Sequence, residues 1–497
     1  MNFNYAEIVK LILPETIVVI TALAALLFDL AMMRGKTVHQ RSSRLAALAG
    51  LGSVLAILCI WLTPSYGNLL NGMLVVDPLT QFVKQILLGL TIFTGIISIQ
   101  TKFTPHVGEY FALLLLATVG MMFLVSSENL LMIFVALELI SLSLYVMVAF
   151  KKESIQSAEA ALKYFLFGGM SAAFTLFGLS LIYGLSGEIK LSAIAATIVG
   201  QGPDPLFLLA LVMTLIGFGF KIAAAPLHLW APDAYQGAPT PTASFIAAGS
   251  KVASFFILAK IVWIGFNGAG GSGAWHGFGS GWIPILATMA TLSMVLGNLA
   301  AISQTSVKRL LAYSAIAHGG YALIAVITNH REAVSSLLYY VVTYAITVLG
   351  AFAVVTVVEH NTKGDKLSDF AGLSRRSPVL AGCMMIFMLS LAGIPPLAGF
   401  FGKFYVFADA LRYGAKDLGL LWLVILAIGT SAISLYYYLQ VLKQIYVAPS
   451  VDGGLKIDTA FPVQAAIVVL AGAVLLLGCL PNLLVGKLLA VLQRTGM

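Results

Sequence analysis

Apolar residues run along this 497-residue chain in stretches separated by short polar breaks, and the stretches lack the period-two alternation of strands. A helix of about 20 such residues crosses about 30 Å of hydrocarbon. About fourteen runs of that kind are predicted, at 8–32, 45–63, 78–100, 109–126, 129–150, 158–185, 206–230, 240–266, 283–303, 310–328, 333–358, 379–407, 419–447 and 462–485. Membrane barrel strands would alternate, and open sheets would leave backbone groups unsatisfied in lipid. The expected fold is therefore an all-α polytopic membrane protein, one membrane domain over 1–497. The longest interruptions, 186–205 and 359–378, are too short to bury a core of their own.

Two runs carry internal breakers. Pro226 falls inside 206–230, just after Lys221, and Gly393, Pro395 and Pro396 fall inside 379–407, just before Lys403. Proline removes a helical hydrogen bond and clashes with the preceding turn, so both runs are expected to be broken helices. Paired interruptions in two halves point to a transporter built from repeats, with its site near the midplane. A packing kink is the plainer alternative for either one alone.

Composition agrees with a lipid-facing chain: 60% of residues are hydrophobic and 10% charged, against about 25% charged in soluble domains. The formal charge of +8 is distributed by topology. Loops after odd-numbered runs hold fourteen Lys and Arg residues, from Arg34 to Lys456, while loops after even-numbered runs hold only Lys190, Arg331, Arg412 and Lys416. By the positive-inside rule the first set is cytoplasmic and both termini lie on the other side. The basic balance thus belongs to a lipid bilayer and not to nucleic acid. The N-terminus lacks a charged region ahead of its apolar run, so that run is expected to stay as a span. Cys59, Cys383 and Cys479 stand singly in apolar runs, without metal or dithiol spacing, and read as small core residues. Gly268, Gly270 and Gly273 fit G-x-G-x-x-G, but they join two spans with no strand before them, so they read as a linker. No hydrolase motif is present.

Candidate chemistry lies in ionisable residues inside the runs. Glu138 is near the middle of 129–150, where it cannot reach water along its own helix. Insertion there costs at least about 2.5 kcal/mol, so it should face protein or water and have a partner. Lys221 and Lys251 are likewise internal, and Lys403 lies beside a broken stretch, within reach of an interface by snorkelling. A lysine suits proton storage because burial disfavours its charge and a nearby carboxylate restores it. A Glu138–Lys221 pair, made and broken, would load and release a proton. His318 reads equally as a proton relay or a hydrogen-bonded core histidine. His228, Lys163 and Lys260 lie near span ends and read as interfacial anchors, and Asp233 as a loop tie.

Four stretches carry a specific resemblance: EAALKYFLFGG (159–169), KIAAAPLHLWAPDAYQGAPTP (221–241), QTSVKRLLAYSAIAHGGY (304–321) and GIPPLAGFFGKFYVF (393–407). The chain resembles the antiporter-like membrane subunits of respiratory complex I over most of its length, from the fourth to the thirteenth run. The larger two of those subunits, and the related cation/proton antiporter subunits, have a histidine where this chain has Ala247 and lack a lysine at Lys251. The largest also extends into a lateral C-terminal helix, whereas this sequence ends shortly after its last run. The resemblance implies fourteen helices with two inverted five-helix repeats, 109–266 and 283–447, each holding broken helices. It implies a proton route through Glu138, Lys221, Lys251 and Lys403. It further implies a proton-translocating membrane-arm subunit of an NADH:quinone oxidoreductase in the cell inner membrane, among other membrane-arm and peripheral-arm subunits. NADH, FMN, iron–sulfur clusters and quinone would then be handled by those other subunits, with no cofactor or metal bound by this chain. A multisubunit cation/proton antiporter, a hydrogenase or NDH-type complex, and the quinone-binding subunit itself are the alternative assignments.

Overall fold

In lipid the backbone has no solvent for its polar groups and must bond them within each segment, so the apolar runs become helices. The computed structural model describes residues 5–63, 66–198, 204–328, 330–412, 418–449 and 456–495; Lys416 lies outside them. In chain order the helices that matter here are α1 (Leu13–Met32), α2 (Val38–Leu62), α3 (Pro78–Ile97), α4 (Val107–Ser126), α5 (Leu130–Val148) and α6 (Ile155–Ser186). There follow the pair α7 (Pro205–Lys221) and α8 (Trp230–Gly237), then α9 (Thr240–Gly265), α10 (Trp282–Ile302), α11 (Val307–Thr328) and α12 (Arg331–Thr362). The pair α13 (Pro378–Ala392) and α14 (Ala398–Arg412) precedes α15 (Leu421–Tyr446), α16 (Phe461–Cys479) and α17 (Asn482–Thr495). Among the described residues, 12 helices are long and apolar enough to cross a membrane. A total of fourteen crossings requires each interrupted pair to be taken as one more.

Local signals set several helix starts. Asp77 accepts from the Thr80 amide and Thr80 caps Asp77 in return, with Pro78 at the first helical position of α3. Thr37 and Gln40 form the same reciprocal cap on α2. Elements also form outside the predicted runs, among them a helix at Leu191–Ile198 in the interruption 186–205. A small antiparallel hairpin, β1 (Gly67–Leu69) with β2 (Leu74–Val76), precedes α3. After the last span, α17 buries Leu484, Leu488 and Leu492, four residues apart on one face, against α3 and α12. At 14 residues it is too short to be recognised as a span.

Burial is unequal. The apolar window of α9 is wholly buried, and 94% of those of α11 and α12 is, against 33% for α1 and α6. The outer helices instead expose large aliphatics such as Leu23, Leu27, Leu162 and Leu176, which suits lipid or a protein neighbour. Helices α10 and α11 meet closely. A Cβ at Gly320 would lie 2.7 Å from Met294 and 2.8 Å from the Ala290 carbonyl, so only glycine permits that approach. Cys59 and Cys383 are buried, but Cys479 at the end of α16 is exposed and is not a core residue as its apolar neighbourhood suggested.

Both breaks fall at the prolines. After Lys221 the chain leaves the helix, with Ala223 at φ 56°, and resumes at Trp230. The freed groups find partners: the Ala225 amide donates to Ser293 Oγ at 2.8 Å and the Trp230 indole to the Phe220 carbonyl at 3.1 Å. Helix α13 ends at Gly393, φ 88°, a conformation open to glycine.

Candidate functional site

The first break places Lys221 as the last residue of α7. Its ammonium donates to the Ser141 hydroxyl on α5, which in turn donates to the Leu137 carbonyl. Glu138 lies three residues before Ser141 on the same helix, within electrostatic reach of Lys221, but the two make no salt bridge. Ser141 is thus the atom-level contact between α5 and α7. Glu138 is partly exposed, on the stripe of α5 that carries the exposed Leu131, Val135, Leu142 and Val146. No hydrogen bond or ion pair within the described chain engages it.

The stretch 159–169 builds the wall behind this site. Tyr164 stacks on Trp230 of α8, centroids 4.3 Å apart, and meets Tyr145 of α5 edge-on at 4.7 Å. Gly168 is empty space for the Tyr145 hydroxyl, which a Cβ there would overlap. Lys163 bonds Asp233 at 2.8 Å, and Arg309 bonds the same carboxylate at 2.6 Å, so Asp233 ties α8 to both α6 and α11.

Lys251 opens the straight part of α9, directly after a widened π-helical turn at Ile246–Ser250, a distortion common where a helix serves a site. It is 4% exposed. Its ammonium donates to the Ala315 carbonyl of α11 and lies 5.6 Å from the Tyr344 ring centre. Gly319 joins the two sites: a Cβ there would lie 3.5 Å from the Ile222 carbonyl, next to Lys221, and 3.8 Å from Lys251 Nζ.

His318 follows on α11. Its ring packs on Tyr344 at 4.8 Å, its Nδ1 is 2.7 Å from the Tyr340 hydroxyl, and its Nε2 is 3.2 Å from the Tyr438 hydroxyl. Tyr438 also meets Ser314 at 2.5 Å. Tyr321, one turn along α11, contacts the His318 ring edge at 5.7 Å. The Lys403 ammonium lies 5.1 Å from the Tyr321 centre, which closes the series. Both readings of His318 from sequence are therefore compatible with one geometry, since a fully bonded histidine stands inside the series.

Lys403 does not reach an interface; it is 5% exposed. Three acceptors meet the three donors of its ammonium: the Leu391 carbonyl at 3.0 Å, the Ala392 carbonyl at 3.1 Å and Ser431 Oγ at 2.8 Å. The two carbonyls are the unpaired last turn of α13. A helix C-terminus carries partial negative charge, so the break itself supplies a seat for a cation.

Several buried ions escaped the sequence reading. Lys260 is buried and pairs with Glu128 at 3.2 Å, so it is no interfacial anchor. Lys308, 4% exposed, pairs with Glu359 at 3.3 Å, and Thr240 donates to that carboxylate. Lys84 on α3 and Glu15 on α1 approach to 2.6 Å with side chains 2% and 1% exposed. Asp409 on α14 is 5% exposed. Each lies within a few residues of a span end, and sequence alone cannot tell a buried end from a snorkelling one. The available signal covers only the short acids, Glu15 and Asp409, whose stems cannot reach far toward water.

The family described as "NADH:quinone oxidoreductase/Mrp antiporter, TM" matches residues 127–434. NADH-quinone oxidoreductase subunit N 2 of Acidobacterium capsulatum is 51% identical over 490 residues, covering 97% of this chain and 98% of that one. A chain of respiratory complex I from Thermus thermophilus, solved with bound aureothin, superposes with a TM-score of 0.78 at 34% identity, over 96% of this chain and 99% of its own. The Mrp complex from a Dietzia species shares the fold, with a TM-score of 0.80 at 18% identity over 96% of each chain.

Proposed function

We propose, from the premise that the chain belongs to the NADH:quinone oxidoreductase/Mrp antiporter membrane family, that it is the N subunit of a respiratory NADH:quinone oxidoreductase and carries protons across the cell inner membrane. Electrons pass from NADH to quinone through flavin and iron–sulfur groups in other subunits of that complex, and this chain converts their passage into charge movement. The observation that carries the reading is the series of contacts from Lys251 through Tyr344 and His318 to Tyr321 and Lys403, set between two interrupted helices. Segments 109–266 and 283–447 act as two inverted repeats, and the loop charges put both termini on the non-cytoplasmic face.

Each residue has a role in this scheme. A change of charge near Glu138, arriving from the neighbouring subunit, alters the field on Lys221. Ser141 holds that ammonium against α5 and transmits any movement of the helix. Lys251 has one acceptor and one aromatic face, a poor seat for a permanent charge, and serves as the relay. His318 accepts and returns a proton between tyrosine hydroxyls. Lys403, with three acceptors, is the terminal store.

The test uses the assembled complex in proteoliposomes, with Lys221→Met and Glu138→Gln compared with the native chain. The expected result is a lower proton yield per electron with NADH oxidation retained; an undiminished yield overturns the assignment. Membership of a multisubunit cation/proton antiporter is the second reading, supported by the shared fold. Sodium-dependent transport by the purified assembly would favour it.

A further inference from the structure

Lys403 is not the last ionisable group on α14. Asp409 follows six residues later, about 9 Å along the axis at 1.5 Å per residue, and it too is buried. Its Oδ2 accepts from Ser336 Oγ at 2.5 Å. Its Oδ1 lies 4.0 Å from Arg412 Nη1, and that same nitrogen donates to Glu332 Oε2 at 2.9 Å, with both Arg412 and Glu332 exposed. The carboxylate is therefore buried on one side and one ion pair from the surface on the other.

A row of hydroxyls on α12 lies between it and Lys403. Ser336, Tyr340, Thr343 and Thr347 are buried and recur at spacings of four, three and four, so they lie on one side of the helix. A Cβ at Gly402, next to Lys403, would lie 2.9 Å from Tyr340 and 3.5 Å from the Thr343 hydroxyl, which sets the row against α14. At its inner end Thr347 is 3.5 Å from Ser390, in the last turn of α13 beside the carbonyls that hold Lys403. At its outer end is Ser336 on Asp409. The Ser336–Asp409 contact is also a tie between α12 and α14. A tie alone needs only an amide, however, and a buried carboxylate is far more costly. What the carboxylate adds is the ability to take and release a proton.

We propose that Asp409 receives the proton from Lys403 and releases it, beside the exposed Glu332–Arg412 pair, to water at the membrane face opposite the basic loops. The transfer balances without a redox step: the Lys403 ammonium becomes an amine as the Asp409 carboxylate becomes a carboxylic acid, and the acid then loses its proton to water at the rim. The inference rests on the reading of Lys403 as a carrier.

The test measures proton yield per electron for assembled complex in proteoliposomes with Asp409→Asn, Asp409→Glu and Lys403→Met. The expected outcome is loss of this subunit's share of the yield in D409N and K403M, and its recovery in D409E. Normal yield in D409N with reduced yield in K403M overturns the inference and leaves the function standing; normal yield in both removes the function reading itself. If D409N does not assemble, the infrared difference spectrum of the D409E complex during turnover decides. A carboxyl band shifted from its native position supports the proposal, and an unshifted spectrum overturns it.

Discussion

Lys84 and Glu15 form the most completely buried ion pair of the chain's described residues, 2.6 Å apart with neither carboxylate oxygen in any hydrogen bond. At an effective dielectric of about 20, charges at that distance attract by roughly 6 kcal/mol. Burying the two ions costs several kcal/mol each, so the pair as a whole contributes close to nothing. Removing one partner is a different matter, because no nearby group is bonded to the carboxylate and able to take over. Lys84→Met and Glu15→Gln should each destabilise by about 3–5 kcal/mol. The double variant should recover most of that loss, with a coupling of at least about 2 kcal/mol. Denaturant titration of the purified chain in detergent, arranged as a double-mutant cycle, measures this directly. Single losses below about 1 kcal/mol, or additive losses in the double variant, would refute a buried charged pair. The same cycle separates structure from transport: the double variant, assembled into complex, should pump at the native proton yield, since the pair lies off the lysine series.

Three further outcomes follow from the geometry. Ser141→Ala removes the hydroxyl that holds Lys221 and should lower proton yield while Ser141→Thr preserves it, read in the same vesicles. Tyr340→Phe and Tyr438→Phe each strip one partner from His318; either should slow pumping, and the double change should slow it to the level of His318→Phe. Gly320→Ala forces α10 from α11 and should destabilise the chain by about 1–3 kcal/mol, visible as lost expression or a lower melting temperature; an unchanged melting temperature would contradict the 2.8 Å approach.

The two breaks were legible because proline and glycine act locally: Pro226 and Gly393 forbid what the surrounding leucines favour, whatever the tertiary setting. Lys251 and His318 could be singled out by cost, but their partners could not. Tyr344 and Tyr438 come from helices about 26 and 120 residues away from His318 in sequence, and hydroxyls in apolar runs look like ordinary span residues. Lys260 was misread for a related reason. A lysine near a span end snorkels when water is beside it, and here Glu128 and the buried α9 stand in its place. The α17 helix escaped because its evidence is a one-sided apolar stripe of fewer than four turns, below the length that membrane crossing demands.

Glu138 lies on the outside of the chain, among leucines and valines that would otherwise suit acyl chains. A subunit built this way is uncomfortable when alone. Set in lipid, it exposes one acid at a depth where translocon scales charge about 2.5–3.5 kcal/mol, a strain that a neighbour covering that face relieves. On the function proposed above, the acid that sets the field on Lys221 then also lies on the face a neighbour would cover. An orphaned copy of the chain is then expected to be less stable than one whose Glu138 face is covered.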